Sequence, residues 1–303
     1  MVAPMRSRLA GVVAGVVVLA LLGTVPAYAS KGAYFGTALS QSGGESSDTA
    51  LLSLESEVGR HFHMYRLYRP LNDTTLRGGA AQLMKSRGQP IYLNVTSEIG
   101  NRCVSWHSVA AGAYNAQLHS IARQVRRYHY KVFFSWNHEM QGNCKTGTAA
   151  DYRASYKRVR KVFKKEHVTN AVWVWVVAAG NINNDPAKAA KFLPGKVDLI
   201  GVDGYNRAGD WRGVKEIFAA AHKFATNHGH RLFIGEIGCA EDPSDSTAKA
   251  RWIANAYDLF RAWDVAGVVW SNFDRNEGDY RVQTSASALA AYKQAGDTSF
   301  YMR

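Results

Sequence analysis

The strongest constraint on the fold is a phrase repeated along the chain: a short apolar run, a polar stretch, then residues with apolar positions three and four apart. The runs are Ala33–Leu39, His61–Tyr68, Pro90–Val95, Lys131–Asn137, Ala171–Val177, Val197–Asp203, Arg231–Glu236 and Ala266–Asn272, eight in all. Their length and β-branched or aromatic content read as buried strands. Between them, "YNAQLHSIARQVRRY", "YRASYKRVRKVF", "GVKEIFAAAHKFATNH" and "ARWIANAYDLFRAW" carry the period of a helix. Alternating strands and helices imply a parallel sheet. Eight such units predict an α/β fold of the (β/α)8 TIM barrel kind. A doubly wound sheet would instead show a glycine-rich phosphate loop after its first strand, and neither GxGxxG nor GxxxxGK[ST] occurs there. No linker-like or low-complexity tract interrupts residues 30–303, so one domain is expected.

The first 29 residues have a different pattern. Arg6 and Arg8 precede an apolar stretch, Leu9–Leu22, and Ala27-Tyr28-Ala29 forms a small-x-small site before Ser30. This predicts a secretory signal peptide over 1–29 and an extracellular protein, with the cell wall as one location. The apolar stretch is short of the roughly 20 residues a membrane span needs, so no stable membrane insertion is expected after cleavage. The mature chain is expected to be a monomer. Cleavage would remove two arginines and no acid, lowering the net charge from +13 to +11. Such a balance attracts anionic partners at long range but says nothing about fold. Only Tyr156–His167 is densely basic, and its Val159, Val162 and Phe163 make it one face of an amphipathic helix, not a nucleic-acid surface. Of three cysteines, Cys103 and Cys144 follow strands that would be neighbours, and a disulfide between them is expected, leaving Cys239 over.

Active sites of such barrels lie at the C-terminal ends of the strands. Those ends bring together Arg66, Asn94, His138, Glu139, Asp203, Tyr205, Glu236 and Trp270. In "FFSWNHEMQG" the His138-Glu139 pair could open a zinc motif H-E-x-x-H, but position 142 is Gly. His61 and His63 share a strand face without further ligands, so no metal is expected. Glu139 instead finds a counterpart in Glu236 of "FIGEIG", from the seventh run against the fourth. Two carboxyls facing across a barrel mouth can flank one glycosidic bond.

"NHEM" closing the fourth strand and "GEIG" closing the seventh together resemble glycoside hydrolase family 26, the β-mannanase-like group of retaining (β/α)8 glycosidases. The resemblance implies that Glu139 is the general acid/base and Glu236 the nucleophile. It further implies that His138 binds sugar at the cleavage subsite, that Tyr205 bonds to the nucleophile, and that Trp270 forms a stacking floor. Arg66 and Asn94 are further candidate substrate-binding residues, Arg66 with Tyr205 also as a donor to Glu236. Trp106 and Trp211, in loops after the third and sixth strands, are expected to flank the groove. Mannan-cleaving members usually have an Arg-Pro-like lead into the His-Glu pair and tryptophans after it, whereas this chain has Ser135-Trp136-Asn137 before and Asn143-Cys144-Lys145-Thr146 after. The expectation is a secreted, endo-acting, retaining hydrolase of a β-linked polysaccharide, endo-β-1,4-mannanase-like, without a cofactor. Two alternatives stay open: a hydrolase of another β-glycan (mixed-linkage glucan, xylan, an acidic exopolysaccharide or cell-wall glycan), and a non-catalytic carbohydrate-binding barrel.

Overall fold

The computed structural model describes residues 1, 32–39, 45–73 and 75–301; apart from Met1, the expected signal peptide lies outside the described residues. All eight apolar runs are strands: β1 (Tyr34–Leu39), β2 (Met64–Pro70), β3 (Ile91–Thr96), β4 (Val132–Trp136), β5 (Ala171–Ala178), β6 (Leu199–Asn206), β7 (Leu232–Cys239) and β8 (Gly267–Asn272). Each pairs in parallel with its sequence neighbours, and β8 closes on β1 through Tyr34↔Gly267 to Leu39↔Asn272. The chain is therefore a (β/α)8 barrel.

The helices are α1 (Ser47–Val58), α2 (Gly79–Ser86), α3 (Trp106–Ala111), α4 (Asn115–Tyr128), α5 (Ala149–Lys165), α6 (Ala179–Asn184), α7 (Pro186–Ala190), α8 (Val214–Asn227), α9 (Ala248–Ala262) and α10 (Ala286–Gly296). The basic tract lies on α5, which buries Tyr156, Val159, Val162 and Phe163 and leaves Lys157, Lys161, Lys164 and Lys165 exposed. Thr148 and Asp151 cap each other at its start, satisfying two otherwise orphaned amide groups.

Strand alternation sorts the residues into two cores. Outward residues such as Phe134, Trp173, Trp175 and Val202 pack beneath the helices. Inward residues, among them Met64, Tyr92, Phe133, Val174, Val176, Phe233 and Val269, fill the barrel interior. This filling makes the interior a packed core and confines any reactive cleft to one end.

Two departures from regular strand geometry shape that end. Between Val202↔Ile234 and Asp203↔Glu236 the β6–β7 register gains one residue on β7, and the β7–β8 register shifts beside it. The extra residue is Gly235. A Cβ there would lie 2.4 Å from Asp203 Oδ1, so only glycine fits. Plain alternation from the inward Phe233 would send Glu236 toward the helices; the bulge turns it inward instead. At the end of β4, Asn137 and Glu139 both have left-handed backbones, φ 48° and 49°. Asparagine tolerates that region, but for glutamate it is strained by roughly 1–3 kcal/mol. The Glu139 amide donates to Val176 O at 3.1 Å, while its carbonyl accepts from Gly142 and Asn143, both at 2.8 Å.

Candidate active site

The ends of β2, β4, β6 and β7 converge on a cleft of about 540 Å³ lined by Tyr68, His138, Glu139, Asp203, Tyr205 and Glu236, with further walls from α6 and the loops after β6 and β8. Glu236 is the most heavily bonded group in it. Arg66 Nη1 lies 2.9 Å from its Oε1, the Tyr68 hydroxyl donates to the same oxygen at 2.8 Å, and the Tyr205 hydroxyl donates to Oε2. Tyr205 also contacts Ser271 Oγ at 3.1 Å. Burial would raise the Glu236 pKa, but Arg66 and the two tyrosine donors outweigh it and hold the group at about 2.

Arg66 is itself buried. It spans Glu236 and Asp203, donates to Gly235 O at 2.7 Å, and lies between the rings of Tyr68 and Tyr92, 4.6 and 4.5 Å from their centroids. Two carboxyls and two aromatic faces compensate a cation that would otherwise be costly to bury. Asp203 responds in the opposite sense to Glu236: burial first, with Glu236 and Glu139 adding to it against Arg66, raises its pKa well above the ordinary carboxylate value.

Glu139 has fewer partners. Burial and the negative charge of Glu236 raise its pKa to about 7. One cleft thus contains a carboxyl that stays ionised and another that retains its proton near neutrality, the combination that separates a nucleophile from an acid. His138 is buried beside them, its Nε2 3.9 Å from Glu236 Oε1 and 3.3 Å from Asn143 Nδ2. Burial and Arg66 lower its pKa to about 3, so it is neutral at working pH. His138, Asp203 and Glu236 could in principle gather a cation. Arg66 already supplies positive charge to both carboxylates, which disfavours one.

The loop bearing Glu139 is anchored twice. Asn137 Oδ1 accepts from the amide and hydroxyl of Ser97, at 2.9 and 2.6 Å, and its Nδ2 donates to Asn143 O at 2.8 Å. Cys103 and Cys144 form a disulfide that ties the loop after β3 to the loop after β4. Cys239 is buried and unpaired.

Several sequence expectations need correction. Trp270 is not a cleft floor: it faces outward from β8, fully buried, donating Nε1–H to Tyr280 O at 2.9 Å and packing on Tyr292. Inward-facing Ser271 follows it, as strand parity requires. Trp106 opens α3, is fully buried against Tyr152 and Phe192, and donates to Ser97 Oγ at 3.1 Å, so it supports the Asn137 anchor and does not line the groove. Trp211 is 39% exposed, but lies in a separate surface depression with Lys215, Arg251 and Trp252. Asn94 is buried within the barrel, its Oδ1 accepting from Ser135 Oγ at 2.5 Å, and does not reach the cleft wall. Arg66 likewise lies behind Glu236 and not on the surface a substrate would touch.

Tyr68, Arg207, Arg212, Phe273 and Arg275 line the cleft and were not singled out from the sequence. Tyr68 had a usable signal: it is two residues from Arg66 on the same strand face. The others lie in or beside loops, where periodicity gives no direction.

The fold has counterparts among solved structures. The catalytic domain of the GH26 endo-β-1,4-mannanase of Bacillus sp. JAMB-750 superposes with a TM-score of 0.65 at 16% identity, covering 89% of this chain and 87% of that one. A modular endo-β-1,4-mannanase of Cellulomonas fimi gives 0.65 at 16% identity over 90% and 72%. A GH26 β-mannanase of Bacteroides ovatus gives 0.62 at 15% identity over 88% and 89%. The barrel shares the fold of the family 26 mannanases. In sequence, Endoglucanase H of Acetivibrio thermocellus is 27% identical over 203 residues, 61% of this chain and 22% of that protein. The chain thus spans about a fifth of that relative's length. No family model matches the chain.

Proposed function

We propose that the chain is a secreted, endo-acting glycoside hydrolase of the family 26 mannanase type, retaining anomeric configuration through two glutamates. The observation that carries this reading is the pair Glu139 and Glu236 in one cleft, with pKa values pushed to about 7 and about 2 by different surroundings. The fold likeness to endo-mannanases and the sequence relation to an endoglucanase support the same class.

In the first step Glu236, as carboxylate, attacks the anomeric carbon of the bound sugar. The bond to the leaving oxygen breaks, and Glu139 transfers its proton to that oxygen, leaving a glycosyl ester on Glu236 and an ionised Glu139. In the second step Glu139 takes a proton from water as the water oxygen attacks the same carbon, and Glu236 departs as carboxylate. Tyr68, Tyr205 and Arg66 keep Glu236 charged and aimed between turnovers. Neutral His138 offers a ring nitrogen to the sugar above Glu236.

The backbone sugar is read as β-1,4-linked, as the names of the two endo-β-1,4-mannanases state for their own substrates. The cleft walls suit a broader set of β-glycans than mannan alone, because Trp270 and Trp106 are packed away and Tyr68, Tyr205 and Phe273 are the aromatic residues lining it. The test is reducing-end release from β-1,4-mannan, glucomannan, mixed-linkage glucan and xylan. Glu139→Ala and Glu236→Ala should each lower turnover by about three orders of magnitude or more while preserving the circular dichroism of the fold. Wild-type turnover in either variant would remove the assignment.

A further inference from the structure

The loops after β6 and β8 bring Arg207, Arg212 and Arg275 to the cleft that contains Glu139 and Glu236. Arg212 is engaged by Asp210 at 3.2 Å. Arg207 and Arg275 have no carboxylate within ion-pair distance among the described residues, although both help lower the pKa of Glu139 and so act on the reaction centre. Glu277 lines the same wall without an ion pair to either.

Both arginines are held in place by neutral groups. The Arg275 guanidinium lies 4.7 Å from the Phe273 ring centroid and 5.8 Å from that of Tyr205, whose hydroxyl bonds to Glu236. Arg207 directly follows β6 and is close enough to the Tyr280 hydroxyl to lower its pKa, and Tyr280 in turn packs tilted on Tyr205 with centroids 4.9 Å apart. The two loops are joined by Ala208 N–H donating to Glu277 O at 3.1 Å, and Arg275 lies in a two-residue ladder with Gly278 and Asp279. The Arg275 guanidinium, resting on an aromatic face, keeps its forked donors available, and fixed loops lower the entropy lost on binding. A neutral glycan would leave that charge unanswered. The net charge of +13 over the whole chain would add long-range attraction for a polyanion.

We propose that Arg207 and Arg275 form an anion-binding subsite beside the two glutamates, selecting a β-glycan whose sugars carry negatively charged carboxylate or sulfate groups. The proposal deepens the hydrolase reading and relies on it for the ligand being a glycan. Bidentate guanidinium contacts recognise either group, and their strength depends on the ligand's charge.

The test uses glucomannan in three forms: unmodified, oxidised at C6 to the uronate, and sulfated. Binding is measured with the Glu139→Gln protein, so that hydrolysis does not interfere, alone and combined with R207Q/R275Q or with R207K/R275K. The expected result is about tenfold tighter binding of one or both anionic polymers, a preference that falls as salt rises. It should disappear in the glutamine pair and persist in part in the lysine pair, which keeps the charge without the fork; a lesion of loop structure alone would affect both pairs alike. Whether uronate or sulfate binds more tightly identifies the charged group. Equal binding of neutral and anionic polymers, binding of none, or a preference that survives the glutamine pair would overturn the subsite. Should the glutamine pair fail to melt cooperatively, the salt-dependent preference of the unaltered subsite decides. Reducing-end release by the wild-type protein is read separately. No release with an intact anion preference removes the hydrolase reading and leaves the subsite, whereas release from neutral polymer without a preference does the reverse.

Discussion

Arg66 lies 2.9 Å from Glu236 with both side chains out of solvent, and the same guanidinium reaches Asp203 at 3.3 Å. At Glu236 that cation outweighs burial and the group keeps its charge at a pKa of about 2, whereas at Asp203 burial and the neighbouring carboxylates prevail over it and raise the pKa. Replacing Arg66 by Met leaves that cluster without its cation. The Glu236 pKa should rise, moving the acidic limb of kcat/KM upward in pH, and stability should fall by about 3–5 kcal/mol, as for other broken buried pairs. Denaturant unfolding and a pH–rate profile measure both effects; an unmoved acidic limb would contradict the role given to Arg66.

Gly235 provides the bulge that turns Glu236 into the cleft. Because a Cβ would meet Asp203 Oδ1 at 2.4 Å, Gly235→Ala must displace Asp203 or undo the bulge. The expected outcome is a loss of about 1–3 kcal/mol in stability. Turnover should fall by about a hundredfold through misplacement of Glu236. Thermal melting with steady-state kinetics checks it. A variant with unchanged kcat would show that the register of β7 does not aim the glutamate.

Glu139 makes stability and activity depend on pH in a definite direction. Its carboxyl has an ordinary pKa of 4.5, raised to about 7 in the fold by burial and by Glu236. Between those values the folded state binds more protons than the unfolded one, so this contribution is complete below about 4.5 and is lost as pH rises through about 7. Its size is about 3 kcal/mol. Glu236 works the other way: its contribution is present above its ordinary value of 4.5 and lost as pH falls toward about 2. Glu139→Gln should therefore gain stability relative to wild type between pH 5 and 8, and wild-type kcat/KM should decline above about pH 7. Melting temperatures of both proteins across that range give the comparison; parallel curves would mean that Glu139 titrates normally.

The Cys103–Cys144 disulfide closes a segment with a sequence separation of 41 and ties down the loop carrying Glu139. Replacing both by serine should cost roughly 4 kcal/mol on the chain-entropy estimate. It should also lower kcat more than it raises KM, because the acid loses its anchor while the Glu236 side of the cleft is untouched. Unfolding and kinetics of the double variant test this.

The barrel was legible because each strand is a continuous apolar run and each long helix carries its own period, two signals that tertiary context did not override. The two glutamates were legible as strand-end residues of the fourth and seventh runs. Their aim was not. Glu236 faces the cleft only because Gly235 adds a residue to β7, a pairing event absent from local pattern. Trp270 shows the converse: alternation along β8 places Val269 and Ser271 inside and the indole outside, so parity would have excluded it as a sugar platform. Trp106 was misplaced because the loop after β3 folds into a hairpin and a helix that bury it. Arg207 and Arg275 gain meaning only from loop–loop contacts between β6 and β8, which no sequence period encodes.

In the proposed mechanism Glu236 attacks and Glu139 donates. Azide rescue with an activated aryl β-glycoside tests it most directly, because azide can replace either carboxylate but forms a different product in each case. With Glu139→Ala the expected product is a β-glycosyl azide, formed as azide displaces the Glu236 ester. With Glu236→Ala the expected product is an α-glycosyl azide, formed by direct attack in the vacated position. Exchange of these two configurations would reverse the roles, and restoration of neither activity by azide would contradict the two-glutamate mechanism itself.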